Sequence, residues 1–183
     1  MNDTLTVRGR IKDYIERHRH LLTDPVLEVG SRLPDVNATW ALNRGKDNKN
    51  WIGIDIQEGC NVDMLMSMGA LTFQDNLFNA CLCSEVLEHV ENPAKALREI
   101  YRVLEKGGNV LITTMFAFPI HNYPSDYWRF TPEGLVLLLE QAGFSNVEVE
   151  TAGEISMDLN DHGEEGMTTL TMPIHVFARG KKV

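Results

Sequence analysis

The chain has 183 residues, 17 Lys plus Arg against 26 Asp plus Glu, and a formal net charge of −9 at neutral pH. At roughly 150 residues per domain, that length predicts one compact unit without room for a second. The acidic balance repels phosphate backbones and no basic cluster offsets it, so nucleic acid is set aside as a partner.

No apolar run reaches the roughly 18 residues of a membrane span, and the opening MNDTLTVRGR lacks the apolar core of a secretion signal. A cytoplasmic protein with no membrane partner is expected. Cys60, Cys81 and Cys83 form neither a C-x-x-C pair nor a Cys/His pair of ligand spacing, so neither a disulfide framework nor a metal site is expected. Cys81 and Cys83, two apart in an apolar run, are expected on one face of a buried strand.

Val7, Ile11, Tyr14, Ile15, His18 and Leu22 recur at helical spacing and predict an amphipathic first helix, with Arg8, Lys12, Asp13, Glu16 and Arg17 on its solvent side. Asp24 and Pro25 break that pattern. PVLEVG, WIGIDI, a weaker NVDMLM and NACLCS follow as strands. Asn92 and Pro93 open a helix with a core stripe of Ala94, Leu97, Ile100, Tyr101 and Leu104, ended by Gly107 and Gly108. NVLITT predicts a strand covered on both faces. After the aromatic loop FAFPIHNYPSDYWRF, Thr131 and Pro132 start a helix that turns Leu135, Leu138, Leu139 and Ala142 inward and stops at Gly143. FSNVEVE and MPIHVFARG are the last strands, and the acidic stretch GEISMDLNDHGEEG between them predicts a loop excursion.

Strands alternating with helices predict an α/β fold: a doubly wound, mostly parallel seven-stranded sheet with helices on both faces and the last strand antiparallel. The expected division is one domain over 1–183, with a helical opening at 1–24, a ligand-binding core at 25–150, and the acidic loop and final strand at 151–183. In such a sheet, ligands bind beyond the carboxyl ends of the strands. Strand one ends in Glu28, Val29, Gly30 and Ser31, and strand two in Asp55, 27 positions after Glu28. Two acids at neighbouring strand ends favour a nucleoside site, the second accepting both ribose hydroxyls. A dinucleotide turn would need G-x-G-x-x-G, and only Gly30 is present, so a nucleoside without phosphates is favoured over a nicotinamide cofactor.

LEVGSR, GIDI, SEVLEHVENPAKALREIYRVLEKGG, VLITT and LLLEQAGF, taken in order over about residues 26–150, resemble the class I S-adenosylmethionine-dependent methyltransferases, in particular the small-molecule, type 11-like group. The resemblance implies S-adenosylmethionine as cofactor. It implies that Glu28, Gly30 and Ser31 lie under the methionine part, that Asp55 holds the ribose and that Ile56 sits beside the adenine. It implies further that Ser67 and Met68 stand near the adenine amine, and Ser84 and Glu85 where cofactor and acceptor meet. Two departures stand out: the second and third glycines after Gly30 are missing, and Ser67 cannot supply the usual carboxylate.

Methyl transfer from a sulfonium is an in-line displacement, so holding the acceptor about 3 Å from the methyl carbon does most of the work. An O or N acceptor also needs a base. HNYPSDYWRF follows strand five and supplies His121 as candidate base, with Asp126 and Tyr127 as further catalytic candidates. The resemblance extends to this string, which occurs in a subset of methyltransferases often associated with glycan pathways and so leaves a sugar-derived acceptor among the candidates. The structural alternative is that Asp126 and Arg129 pair with each other while Tyr127, Trp128 and Phe130 cover the sheet end. His89 is expected to hydrogen-bond within the fold, His175 to pack in the last strand, and His18, His20 and His162 to be surface or cap residues. NYPSDY is similar to the N-P-P-Y string of amino methyltransferases, but it follows the fifth strand rather than the fourth. A lid would come from the first helix, the 115–130 loop and the 152–170 excursion. The competing class is a non-catalytic domain of the same fold that binds the cofactor or a partner protein.

Overall fold

The computed structural model describes residues 6–33, 50–122, 124–159 and 168–183. A seven-stranded sheet carries the order β3-β2-β1-β4-β5-β7-β6. Its strands are β1 Val26–Val29, β2 Trp51–Asp55, β3 Met64–Leu65, β4 Phe78–Ser84, β5 Leu104–Met115, β6 Phe144–Leu159 and β7 Thr168–Lys182. β1 through β5 pair in parallel, and β7 alone runs against its neighbours β5 and β6. All four residues of β1 are buried, which is why VLEV reads as a continuous apolar run broken only by Glu28.

Helices cover both faces. α1, Val7–Arg17, lays Tyr14 and Ile15 on Val26, Trp51, Leu82, Leu111 and Phe177. α2, Pro93–Val103, and α3, Pro132–Ala142, cover the opposite face, where Cys81 and Cys83 lie side by side in the larger core. Burial holds both thiols in the protonated form by raising their pKa. The starts at Asn92 and Thr131 are set as the sequence predicts, and Thr6 caps the first helix in the same way. Thr6 accepts from the Gly9 amide at 2.9 Å, Asn92 from Lys95 at 2.9 Å, and Thr131 from Gly134 at 3.0 Å. No described helix is long and apolar enough to cross a membrane.

Four expectations need correction. α1 stops at Arg17, because His18 becomes its C-cap and turns its ring Nδ1 to the Tyr14 carbonyl at 2.9 Å, so Leu22 lies beyond the helix. The buried stripe of α2 is Pro93, Ala96, Leu97, Ile100 and Val103, leaving Ala94 half-buried one residue off the face. Leu104 already belongs to β5, and Gly107, exposed, and Gly108, buried, shape an irregularity in that strand rather than ending the helix. A Cβ at Gly108 would stand 2.9 Å from the Glu105 carbonyl oxygen, so only glycine fits there.

The fourth correction concerns the acidic stretch, which is strand as far as Leu159. Before His175, β7 pairs with β6 alone, so the two form a ribbon whose residues 154–157 are exposed throughout. A ribbon solvated on both faces shows no alternation of apolar and polar residues, and its composition therefore reads as loop. Residues 160–167, His162 among them, lie outside the described residues.

Candidate functional site

A cavity of about 820 Å³ opens at the carboxyl ends of the parallel strands, where β1 separates β2 from β4. Glu28, Gly30, Ser31, Asp55, Ile56, Ser67, Met68, Ser84 and Glu85 all line it. Parallel pairing of β1 with β2 sets Glu28 beside Gly53 and Val29 beside Ile54, which brings the two acids to adjacent strand ends. Glu28 is 8% exposed and receives the Asn61 amide on Oε2 at 3.4 Å. Asp55 turns Oδ1 to the Gln57 amide at 2.9 Å, which fixes the turn that presents Ile56 to the cavity. Ser67 caps its own turn by accepting from Gly69 at 3.3 Å, and Met68 is buried.

Gly30 is required twice over. Its φ is +72°, in the left-handed region, and an added Cβ would lie 2.1 Å from Cγ2 of Val86. Its amide and that of Ser31 both donate to the Ile54 carbonyl, at 2.9 and 3.1 Å. Strand one is thereby bent onto the end of strand two, with one glycine doing the work for which a glycine-rich loop is usual.

Beyond β4 the floor is polar and incompletely paired. Ser84 and Thr113 share a hydroxyl contact of 2.9 Å. Glu85 takes a left-handed φ of +53°, a conformation that costs a non-glycine residue roughly 1 kcal/mol. Both of its carboxylate oxygens are buried without a hydrogen-bond partner among the described residues, and the Nδ1 of buried His175 stands 3.6 Å away. His175 stacks on Phe177 as its strand position predicts, yet neither ring nitrogen has a hydrogen-bond partner among the described residues. Glu88, fully buried, receives the Thr114 hydroxyl on Oε2 at 2.9 Å and has no hydrogen-bond partner on Oε1 among the described residues. Burial first, and Glu85 second, push the Glu88 carboxyl well above the usual carboxylate range.

The acceptor-side candidates divide. His121 and Tyr127 line the cavity; Asp126 does not. Its carboxylate is gripped by the Arg129 guanidinium at 2.6 and 2.8 Å and receives the His121 amide at 2.8 Å. Those bonds, Arg129 foremost, hold its pKa far below the ordinary value, so as a catalytic carboxylate Asp126 is corrected to a clamp within the loop. Arg129 continues the clamp to the Phe118 and Pro119 carbonyls, and the Trp128 indole donates to Val90 at 2.8 Å. Tyr127 and Trp128 both send their amides to the Glu88 carbonyl, tying the loop to the helical turn Leu87–His89 that follows β4. Tyr123, within the same string, lies outside the described residues.

His89 does hydrogen-bond within the fold, through Nδ1 to the Ser125 carbonyl, and it also faces the cavity. Its ring meets His121 edge to face at 4.9 Å. Contrary to the expectation that no metal-ligand group converges, Glu88, His89 and His121 bring ligand atoms within 4.8 Å of one another. Sequence reasoning missed Glu88, although it sits directly before His89 in the E-V-L-E-H-V string. Arg8 and Lys12, expected on the solvent side of α1, line the cavity beside Val7, Ile11 and Ile15, so the first helix covers the site as a lid must. The described part of 152–170 takes no part in the lining.

The doubly wound sheet with one reversed strand, and a nucleoside-sized cavity at its switch point, define a Rossmann-like methyltransferase architecture. Residues 27–112 match the family model described as a methyltransferase domain. Among curated proteins, the ubiquinone/menaquinone biosynthesis C-methyltransferase of Neisseria meningitidis is 30% identical over 102 residues, 49% of this chain and 42% of the relative. The chain thus aligns with less than half the length of that relative. Among solved structures, a SAM-dependent methyltransferase from Archaeoglobus fulgidus superposes with a TM-score of 0.69 at 19% identity, covering 96% of this chain and 94% of the other. A phosphoethanolamine N-methyltransferase of Haemonchus contortus, in complex with S-adenosylhomocysteine, superposes at 0.59 with 17% identity over 78% of this chain and 39% of that one. The family match over residues 27–112 and the fold agree: the chain is similar to the S-adenosylmethionine-dependent methyltransferases and shares their fold.

Proposed function

We propose that the cavity binds S-adenosylmethionine and that the protein, working in the cytoplasm, moves its methyl group to an oxygen or nitrogen of a small acceptor, with sugar-derived compounds the first to try. The observation that carries this reading is the placing of Glu28 and Asp55, from consecutive strands, on one open cavity around a glycine that nothing else can replace. Asp55 accepts the ribose hydroxyls, with Ile56, Ser67 and Met68 around the adenine. Glu28, Gly30 and Ser31 lie along the methionine part, and the Ser31 hydroxyl, buried with no hydrogen-bond partner among the described residues, is a donor available to it. Ser84 and Glu85 then mark where the sulfonium meets the acceptor.

The reaction asks the protein to align the acceptor behind the methyl carbon at about 3 Å and to handle its proton. Glu88, His89 and His121 form the corner that does so, with His121 as base in the ion-free protein and Tyr127 at the rim. Calorimetric titration with S-adenosylmethionine tests the first part. Asp55→Ala is expected to weaken binding by about 1 to 3 kcal/mol, roughly five- to 150-fold, through loss of charged hydrogen bonds. Wild-type protein that binds no S-adenosylmethionine, or Asp55→Ala protein that binds as tightly, overturns the reading. Transfer of label from methyl-labelled cofactor to a panel of hydroxyl, amine and activated-carbon acceptors then separates O or N transfer from the C transfer named for the Neisseria relative. A cofactor that binds and never transfers would favour the non-catalytic alternative.

A further inference from the structure

We propose that Glu88, His89 and His121 form a binding site for one divalent transition-metal ion of the zinc type, on the acceptor side of the cavity. The ligand atoms already lie within 4.8 Å of one another, and around a tetrahedral zinc with bonds of about 2.0–2.2 Å such atoms stand roughly 3.4 Å apart. Closing that gap takes side-chain shifts of about an ångström. Two imidazoles and one carboxylate are the donor set that zinc, iron and manganese share, and a fourth position would face the cavity.

The surroundings are built as a metal site requires. A carbonyl oxygen only accepts, so the Nδ1 of His89 against the Ser125 carbonyl carries the hydrogen and leaves Nε2 with its lone pair. Nε2 stands 3.9 Å from Oε1 of Glu88. His121 is fixed in the same sense: its Nδ1 lies 3.3 Å from the Pro119 carbonyl and 3.2 Å from Asp126, and Nε2 is again the lone-pair nitrogen. Orientation of each ligating ring through its second nitrogen, by a carbonyl or a carboxylate, is the usual outer shell of a metal centre. Glu88 supplies the independent pointer. It is fully buried, Thr114 holds one oxygen, and the other, turned toward His89, has no hydrogen-bond partner among the described residues. An orphaned buried carboxylate oxygen beside two lone-pair nitrogens is complete once a cation sits between them.

The part the ion plays rests on the function proposed above; its binding does not. An acceptor hydroxyl docked on the ion loses its proton to solvent more readily. Its oxygen lone pair then forms the bond to the methyl carbon as the carbon–sulfur bond breaks, the sulfur keeps the bonding pair, and the cofactor leaves as the neutral thioether. His121 in that state is a ligand rather than the base.

The test uses the whole chain, stripped with chelator and titrated with Zn²⁺ by calorimetry, with X-ray absorption on the loaded protein. The expected result is one equivalent bound, two nitrogen and one or more oxygen neighbours at about 2.0–2.2 Å, and affinity at least tenfold weaker in both His121→Ala and His89→Ala. Absence of binding up to about 100 μM, or unchanged affinity in the two histidine variants, overturns the site. His121 is half-buried at the loop, so His121→Ala with wild-type circular dichroism decides the matter even if His89→Ala fails to fold. S-adenosylmethionine titration of the ion-free protein reads the function proposed above separately: loss of cofactor binding with intact Zn²⁺ binding removes the methyl-transfer role and leaves the ion.

Discussion

Asp126 and Glu88 sit at the same end of the sheet with carboxylates 1% and 0% exposed, and the fold treats them in opposite ways. Asp126 has its oxygens filled by Arg129 and the His121 amide, and it does not line the cavity. Glu88 has one oxygen filled by Thr114 and the other left open beside His89. A buried charge whose partners are complete shapes the chain around it. One whose partners are incomplete keeps a vacancy that a ligand can fill, and the same chemical group serves architecture in the first case and a site in the second.

The contrast breaks first at Arg129. Arg129→Ala strands a buried carboxylate and is expected to cost roughly 3 kcal/mol in urea denaturation, the 27% exposure of the guanidinium keeping the loss below the top of the range for buried pairs. Glu88→Gln in the ion-free protein is expected to change stability by less than about 1 kcal/mol, because burial and Glu85 already favour the protonated, neutral carboxyl and a Gln side-chain carbonyl can still accept from Thr114. Equal losses in the two variants would abolish the distinction between them. Adding Zn²⁺ sharpens it: at a hundred times its dissociation constant the ion stabilises wild type by about 2.7 kcal/mol, and Glu88→Gln is expected to respond by much less.

How much of this was legible in the sequence follows the same division. The parallel strands, the two acids at their ends and the lone glycine could be read directly, because short apolar runs ended by Glu28-Val29-Gly30 and Asp55 carry both their secondary structure and their position in the sheet. The pairing of Asp126 with Arg129 was readable as an alternative, since three-residue spacing allows it. Whether either group also faced the cavity was not, because that depends on where the loop after β5 docks, and it docks through the amides of Tyr127 and Trp128 on the Glu88 carbonyl. The approach of Glu88, His89 and His121 joins positions more than thirty residues apart across that docking, and neither element shows it alone. The β6–β7 ribbon failed for a different reason: with both faces in water, its pattern has no period for a reader to find.

A third polar cluster, away from the cavity, measures what pairing is worth when solvent can reach it. Arg102 donates to the Leu71 and Phe73 carbonyls at 2.8 Å, to Asp75 at 2.7 Å and to Glu99 at 2.9 Å, and Glu99 accepts from the Leu71 amide at 3.0 Å, so the two side chains pin the β3–β4 connection to α2. Both are less than a third exposed. The Arg102 bond first, and the Leu71 amide with it, lower the Glu99 pKa from the ordinary carboxylate value of about 4.3. A group depressed in the folded state adds stability above its unfolded pKa and loses it as pH falls through the folded one. Glu99→Gln is therefore expected to cost about 0.5–1 kcal/mol at neutral pH, and the gap from wild type should shrink as the pH drops below about 4 and as salt is added. A gap that stays constant from pH 7 to pH 3 would mean that Glu99 acts through packing. In that case partial exposure would not weaken a pair of this kind, and the larger loss expected at Asp126 could no longer be credited to its burial.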